Sequence, residues 1–377
     1  MIALRTILGF ALTACAVQVA RAEPVDCPLA HAPYSVRTPV IDLLLDPRAK
    51  AVLDREFGPA LAKLPPGFAS TTPPTFAAII SVKEVMGMIG APNVAATLAR
   101  LDPELRAIPI TPAASRARCA RYDHVPPKLP ATLKHPALLV FDKITGFRDT
   151  PSVDAATAAL KAMAQRRGWT LVFTDKGAVF NQRDLARFDA VIWNNVSGDA
   201  LTVPQQKAFQ AYLAKGGGFA GFHGASGDPF YVWDWYPDTL IGARFIGHPG
   251  KPQFQQARVV VDDTKSAITR GLGDGWTMTE EWYSFAKSPR GPGTHVLATL
   301  DEKSYAPIGY HGETLAMGDH PIAWTRCIGA GRSFYSAIGH RPENYTEPNS
   351  VRLLEQGIAG SAGLGETTCQ DGRETAR

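Results

Sequence analysis

The chain has 377 residues, of which 45% are hydrophobic, and its formal net charge is +4. This composition excludes an intrinsically disordered protein, because it supplies enough apolar side chains to bury a core. The near balance of acidic and basic residues, with no basic cluster interleaved with aromatic residues, argues against a nucleic-acid-binding surface. We therefore expect a folded protein with no nucleic-acid partner.

The first 22 residues have the pattern of a signal peptide. Arg5 precedes an apolar stretch over residues 7–20, and Ala20-Arg21-Ala22 has the small-x-small pattern of a signal peptidase site. The stretch is too short for a membrane span, and no later segment reaches the required length. Cleavage after Ala22 predicts a periplasmic or secreted protein. The alternative is a lipoprotein signal, with Cys15 as the lipidated first residue.

Four cysteines remain after removal of the signal peptide: Cys27, Cys119, Cys327 and Cys369. An even number of cysteines in an exported protein predicts disulfides, and four cysteines allow three pairings. We favour Cys27–Cys119 and Cys327–Cys369, because each pair then lies within one region of the chain. The absence of a CxxC spacing makes a zinc ribbon or a thioredoxin-like redox motif unexpected.

Residues 23–130 are rich in Pro and Ala and have helical rather than strand patterns. Asp46 before Pro47 predicts the N-cap of a helix over residues 47–57. Two further helices are predicted by apolar residues at helical spacing, namely Val82, Val85, Met86 and Ile89, and then Val94, Leu98, Leu101 and Leu105. We expect a small, mainly helical N-terminal domain without catalytic residues, ending in the proline-rich linker 125–130.

Residues 137–363 alternate short apolar runs with amphipathic helices. Ser152 is predicted to cap a helix that ends at Gly168, and Thr202 with Gln205 forms a capping box for a second helix. A last helix begins at about residue 351. Strands are predicted at 137–141, 170–173, 190–193, 218–222, 258–262, 295–299, 321–324 and 333–338. This alternation predicts an α/β domain with a parallel sheet wrapped by helices, followed by a C-terminal tail over residues 364–377.

Polar residues follow the first four predicted strands. Because parallel strands end at one edge of a sheet, and open α/β sheets bind ligands there, these side chains are expected to share one rim. They are Asp142 and Lys143, Thr174 and Asp175, Asn194 and Asn195, and His223.

The glycine run 216–221 fits the pattern GxGxxG, yet it follows a helix and opens a strand. A dinucleotide-binding fingerprint requires the reverse order, with a strand before the glycines and a helix after them. We therefore predict no Rossmann nucleotide site at this run.

His223 occupies a strand–turn position that resembles the elbow on which hydrolases expose a Ser or Cys nucleophile. A histidine there is suited to proton transfer or to metal ligation near neutral pH. The alternative is a histidine that only satisfies backbone groups of its loop.

Ordered motifs across residues 137–363 resemble the trehalose-utilisation (ThuA-like) family. These motifs lie at 139–148, 192–199, 217–223, 242–249, 280–283, 300–302, 318–324 and 334–340. The resemblance implies a class I glutamine amidotransferase-like fold, in which a flavodoxin-like parallel sheet is sandwiched by helices. It also implies a role in sugar catabolism, particularly through 3-keto-glycosides. Glutamine hydrolysis is not expected, because the elbow carries His223 instead of the amidotransferase cysteine.

One position departs from the family pattern. Relatives tend to read Gly-Phe-Arg-His after the first strand, whereas this chain has Asp149 in place of the histidine. If that histidine is functional in relatives, its role here is lost or passes to Asp149.

Glu281 lies beside Trp282 and Tyr283, in surroundings that can raise the pKa of a carboxyl group and supply a face for sugar stacking. His340 follows a predicted strand and His320 precedes one. The predicted catalytic residues are therefore His223, Glu281, His340 and His320. The predicted substrate-binding residues are Lys143, Arg148, Asn194, Asn195, Trp235, His248 and Tyr283.

The favoured hypothesis is an exported enzyme that acts on an oxidised (3-keto) sugar or glycoside by acid–base chemistry. His223 would be the base, Glu281 or His340 the acid, and Asn195 and Lys143 would orient oxygen atoms. One alternative is a carbohydrate-binding protein without turnover. The other is a metal-dependent hydrolase, in which several of the histidines and Glu281 would bind a divalent ion although no fixed ligand spacing is present.

Overall fold

The computed structural model describes residues 24–365, 367–370 and 373–376. The predicted signal peptide, residues 1–22, and the alternative lipidation site Cys15 lie outside the described residues. Within them, no helix combines the length and apolar character needed to cross a membrane.

The N-terminal region folds as helices around its own apolar core. The predicted helix start is present, since the Asp46 carboxylate accepts a hydrogen bond from the Arg48 backbone N–H and Pro47 is the first helical residue. Ser81 and Glu84 form a capping box at the start of a later helix. The helices are α1 (Val40–Leu44), α2 (Pro47–Leu61), α3 (Val82–Met88), α4 (Val94–Arg106) and α5 (Pro112–Cys119).

The first half of the C-terminal region alternates strands and helices as predicted. Gly168, with φ of 69°, ends the helix Thr150–Arg167 as predicted. The prediction that Ser152 caps this helix is wrong, because the N-cap is Asp149, whose carboxylate accepts the Ser152 backbone N–H at 3.2 Å. The capping box of Thr202 and Gln205 begins the helix Val203–Ala214. The elements are β1 (Ala137–Phe141), α6 (Thr150–Arg167), β2 (Thr170–Thr174), α7 (Gln182–Leu185), β3 (Ala190–Trp193), α8 (Val203–Ala214) and β4 (Gly218–Phe222).

The second half is richer in strands. Its elements are β5 (Phe245–Gly247), β6 (Gln255–Val261), β7 (Gly275–Glu280), β8 (Ser284–Phe285), β9 (Thr294–Leu300), β10 (Pro321–Ile328), β11 (Gly331–Ser336), α9 (Pro348–Ser361), β12 (Thr367–Gln370) and β13 (Arg373–Ala376).

Nine of these strands form one mixed sheet in the order β2-β1-β3-β4-β11-β10-β9-β6-β7. The neighbours from β2 to β11 are parallel, and those from β11 to β7 are antiparallel. The prediction of an α/β fold with parallel strands flanked by helices is confirmed. The antiparallel extension was not predicted, and β7 was missed because its inward side chains, Trp276, Met278 and Glu280, include a buried acid.

Both favoured disulfides are present. Cys27–Cys119 closes the N-terminal region, and Cys327–Cys369 joins β10 to the hairpin formed by β12 and β13. Disulfides of this kind are typical of proteins in oxidising compartments outside the cytoplasm.

The N-terminal region contacts loops at the edge of the sheet where the parallel strands end. The Thr75 backbone N–H donates to the carbonyl of Thr145, which follows β1, with a separation of 3.0 Å. The Val203 N–H donates to the Asp26 carbonyl at 3.0 Å. The N-terminal region therefore lies against the rim on which the sequence places the candidate site.

Candidate functional site

The turn after β4 holds His223 in the left-handed region, with φ of 34°. A non-glycine residue in this region stores strain, and such residues concentrate at functional sites. The surroundings hold the turn in place. The Tyr335 hydroxyl donates to the His223 carbonyl at 2.9 Å, and the Gly224 N–H donates to the Asn195 side-chain oxygen at 3.3 Å.

Three side chains converge at this turn. His223 Nε2 lies 3.1 Å from His340 Nδ1 and 3.2 Å from Glu281 Oε2. The third side of the triangle, from His340 Nδ1 to Glu281 Oε2, is 2.9 Å. His340 follows β11, the parallel neighbour of β4, whereas Glu281 follows β7 at the far edge of the sheet order. We call these three side chains, together with His248, the His/Glu cluster.

His248 approaches the other oxygen of Glu281, since its Nε2 lies 3.3 Å from Oε1. The other ring nitrogen of His248, Nδ1, lies 3.1 Å from the Pro249 carbonyl oxygen. His223 has the same arrangement, with Nδ1 at 2.8 Å from the Ala337 carbonyl oxygen. A carbonyl oxygen only accepts hydrogen bonds, so in each neutral ring Nδ1 carries the proton and Nε2 presents a lone pair to Glu281.

Glu280, next to Glu281, stabilises the cluster through hydrogen bonds. It is completely buried, and one of its carboxylate oxygens accepts the Glu281 N–H at 2.6 Å. The other accepts the backbone N–H groups of Gly339 at 2.7 Å and His340 at 3.2 Å, and also the side-chain amide of Asn344. Glu280 thus ties the end of β7 to the turn after β11 and fixes the relative positions of Glu281 and His340.

The electrostatics of the cluster favour an ionised Glu281. Burial raises the pKa of this carboxyl group, but the adjacent imidazoles of His223 and His340 outweigh burial and hold the pKa below its ordinary value. Burial lowers the pKa of His248, with partial compensation by Glu281. The cluster therefore presents a buried carboxylate to imidazole nitrogens.

Two further predicted residues adjoin the cluster. The Tyr283 ring lies against His223, with ring centroids 4.1 Å apart. Asn195, which has φ of 54°, supports the turn and donates to the Tyr345 hydroxyl at 3.0 Å. The structure therefore brings together His223, Glu281, His340, His248, Tyr283 and Asn195.

Five other predicted residues have different surroundings. His320 is buried between Glu302, at 2.7 Å from Nδ1, and the Tyr283 carbonyl, at 2.9 Å from Nε2. Asn194 is buried and donates to the Val153 carbonyl at 3.3 Å. Trp235 stacks on Trp233, with a centroid separation of 5.2 Å, against the core.

Lys143 and Arg148 belong to a separate charged group. Burial lowers the pKa of Lys143, with opposing contributions from Asp123 and Asp175. Burial also raises the pKa of Asp142, and Arg148 partly offsets this effect. Neither basic residue contacts the His/Glu cluster in any described interaction.

Sequence reasoning missed several residues of the site. Glu280 belongs to the motif 280–283, but no strand was predicted before Glu281, so nothing indicated that the Glu280 carboxylate is buried. Gln253, which donates to Glu281, lies in a loop without a recognisable motif. Phe147, which was not among the predicted site residues, lines the same cleft as His223 and His340, together with Asp149, which the departure from the family pattern had indicated.

The spacing of the cluster matches the requirements of a divalent metal ion. Metal–ligand bonds of about 2.0–2.1 Å place neighbouring ligand atoms about 3.0 Å apart in octahedral coordination and about 3.4 Å apart in tetrahedral coordination. The atoms of His223, Glu281 and His340 lie 2.9–3.2 Å apart. Two imidazoles with one carboxylate are a usual donor set for Zn²⁺ and for non-haem Fe²⁺.

The chain is similar to solved structures and to one protein-family model. A ThuA-like protein from Bacteroides uniformis has a similar fold, with 24% identity and a TM-score of 0.51, over 62% of this chain and 94% of its own. A second, from Parabacteroides merdae, has 14% identity and a TM-score of 0.45, over 65% of this chain and 98% of its own. No curated protein matches the chain. The ThuA family model, described as trehalose utilisation, matches residues 137–359. The chain therefore belongs to the ThuA family.

Proposed function

We propose that this protein is an exported, metal-dependent enzyme of sugar catabolism that acts on an oxidised (3-keto) sugar or glycoside. In this proposal His223, Glu281 and His340 bind one divalent ion, and His248 lies beside them as a further ligand. The observation that carries the proposal is the triangle of 2.9–3.2 Å between the three ligand atoms. The fixed proton positions of His223 and His248 support it.

The same geometry argues for ligand roles over the acid and base roles expected from the sequence. A general acid and a general base must each reach a different atom of the substrate. Nε2 of His223, Oε2 of Glu281 and Nδ1 of His340 instead point at one another, with about 3 Å between them. A cation placed among these atoms also relieves the repulsion between imidazole lone pairs and the Glu281 carboxylate.

A 3-keto-glycoside suits such a site, because its carbonyl oxygen and an adjacent hydroxyl form a bidentate oxygen donor. A divalent ion held by these residues would polarise the carbonyl group and make the neighbouring C–H more acidic. Asp149 lines the cleft but is not part of the triangle, so we assign it the role of base. The proton on C2 would pass to Asp149, the electron pair would form a C1=C2 double bond, and the C1–O bond would break. The departing alkoxide would take up the proton that Asp149 has received and leave as the alcohol, which returns Asp149 to its carboxylate form.

Two observations support the substrate class and the compartment. The family model is described as trehalose utilisation, which associates these proteins with sugars. The two disulfides and the predicted signal peptide support export.

The test is incubation of metal-loaded protein with a panel of 3-keto-glycosides, followed by mass spectrometry. We expect conversion by the unmodified protein, loss of conversion after chelation, and recovery on addition of Zn²⁺, Mn²⁺ or Fe²⁺. Asp149→Asn should bind metal normally and convert substrate at least a hundredfold more slowly. His295→Ala is the matched control, because this histidine pairs with Asp263 away from the cluster.

The outcomes separate the hypotheses. Conversion that persists in protein shown to be free of metal would favour acid–base catalysis by the cluster. Sugar binding without conversion under any metal condition would favour a carbohydrate-binding protein. Either result would contradict the metal-dependent mechanism.

A further inference from the structure

Exposed aromatic rings surround the His/Glu cluster. Phe147 and Phe254 are 39% and 38% exposed, and Tyr310 is also exposed. The centroid of the His340 ring lies 6.1 Å from that of Phe147 and 5.2 Å from that of Phe254. Tyr310 lies 5.5 Å from His248. Grouped apolar rings that remain exposed beside a polar site typically mark a binding surface.

Phe147 is supported by the N-terminal region. The centroid of the Phe76 ring lies 5.0 Å from that of the Phe147 ring. The Phe68 ring stacks on Phe76, with a centroid distance of 4.5 Å and an interplanar angle of 5°. Phe68 and Phe76 both precede α3. An aromatic series therefore leads from the N-terminal helices to the cleft.

The backbone beside Phe147 is held by the same region. A side chain at Gly146 would meet the Ile79 Cγ2 atom at 2.5 Å and the Ser197 hydroxyl at 2.4 Å, so only glycine fits between these residues. Thr145 accepts a hydrogen bond from Thr75, and the Phe147 N–H donates to the Ser197 hydroxyl at 3.0 Å. The position of Phe147 thus depends on contacts from both parts of the chain.

We propose that Phe147 and Phe254 form a subsite for a second sugar ring, the one attached to the ring at the His/Glu cluster, and that the N-terminal region positions this subsite through Phe76. The proposal rests on the proposed sugar-binding function. A pyranose presents an apolar C–H face that packs on an aromatic ring, while its hydroxyls remain free for polar partners. The Arg341 guanidinium lies 5.7 Å from the centre of the Phe254 ring and is a suitable donor to those hydroxyls.

Continuity with the cluster identifies this occupant. Phe147 lines the same cleft as His223 and His340, and Phe254 follows Gln253, which donates to Glu281. A ring bound at the cluster therefore places its glycosidic substituent beside Phe147 and Phe254. Phe76 is a positioning residue in this account, because its described ring contacts are to Phe68 and Phe147 and not to the cluster.

The test compares binding of trehalose and D-glucose to zinc-loaded protein by calorimetry and saturation-transfer NMR. We expect trehalose to bind at least tenfold more tightly than glucose, and we expect saturation to pass from the protein to both sugar rings of trehalose. Phe147→Leu should remove most of this preference, whereas Phe147→Tyr should retain it. Phe76→Leu should weaken trehalose binding with little change for glucose.

The matched control is Phe57→Leu, since Phe57 is buried in the same N-terminal core and makes no described ring contact with Phe76. It should reduce stability and leave the sugar preference unchanged. Equal affinities for the two sugars, no binding of either, or an equal loss of preference in Phe57→Leu and Phe76→Leu would overturn the inference. Because the assay measures binding, a preference that depends on Phe147 would stand even if no 3-keto-glycoside were converted.

Discussion

Glu280 offers the sharpest test of how the fold supports the cluster. Its buried carboxylate accepts three backbone N–H groups and the Asn344 amide. Each buried donor left without a partner costs about 1–3 kcal/mol. Removing the carboxylate also removes the cost of burying its charge, so the losses do not add fully. We expect Glu280→Ala to lower the free energy of unfolding by about 3–5 kcal/mol.

Glu280→Gln is the more informative change because it conserves shape. The amide oxygen still accepts hydrogen bonds, but the NH₂ group only donates. It must face either the Glu281 N–H or the N–H donors of the turn after β11, which then lose their acceptor. We expect a loss of about 1–3 kcal/mol in the free energy of unfolding. Because Glu280 sets the spacing of Glu281 and His340, zinc affinity should fall about 10–100-fold.

The assays are urea unfolding of chelator-treated protein and zinc titration against a competing indicator. Glu347→Gln is the matched control, since the Glu347 carboxylate also accepts two backbone N–H groups, at the start of α9. It should lose about 1 kcal/mol of stability and retain its zinc affinity. A Glu280→Gln variant with unchanged stability and unchanged zinc affinity would refute the reasoning.

Three further predictions concern stability. Burial raises the pKa of Asp228 to about 7, so the folded state binds more protons than the unfolded state between about pH 4 and pH 7; stability from this group is greatest below pH 4 and is lost as the pH rises through 7. Urea unfolding should show that the free energy of unfolding falls more between pH 5 and pH 8 in the unmodified protein than in Asp228→Asn. An equal fall in both proteins would contradict this prediction. Gly357→Ala should destabilise α9 despite the better helix propensity of alanine, because the new methyl group would lie 2.4 Å from the buried Phe334 ring; we expect a loss of about 1–3 kcal/mol, and an increased melting temperature would exclude it. Replacing Cys27 and Cys119 with alanine should cost about 4–5 kcal/mol, from the chain entropy of a loop with a sequence separation of 92; an unfolding free energy unchanged by the double substitution would show that this loop does not constrain the unfolded chain.

Much of the fold is encoded locally and was therefore predictable. The Asp46-Pro47 helix start and the Thr202–Gln205 capping box depend on residues only a few positions apart. The position of His223 on the rim follows from the rule that parallel strands end at one edge of a sheet. Both sets of features are recognisable in a single sequence because they depend on local chemistry or on a general topological rule.

Contacts between distant elements were less accessible. Glu281 follows β7, which no pattern predicted, and its approach to His223 depends on the antiparallel half of the sheet. The support of Phe147 by Phe76 joins two regions separated by about seventy residues of chain. Lys143 and Arg148, by contrast, have the residue types of a binding site and lie in another charged group.

The central claim is that His223, Glu281 and His340 bind a divalent ion, and metal stoichiometry tests it most directly. The purified protein, the His223→Ala variant and the His295→Ala control should be dialysed against Zn²⁺, washed and measured by inductively coupled plasma mass spectrometry. We expect one ion per chain in the unmodified protein and the control, with a loss of at least 90% in His223→Ala. Less than a tenth of an ion per chain in the unmodified protein, or equal metal content in all three, would contradict the claim.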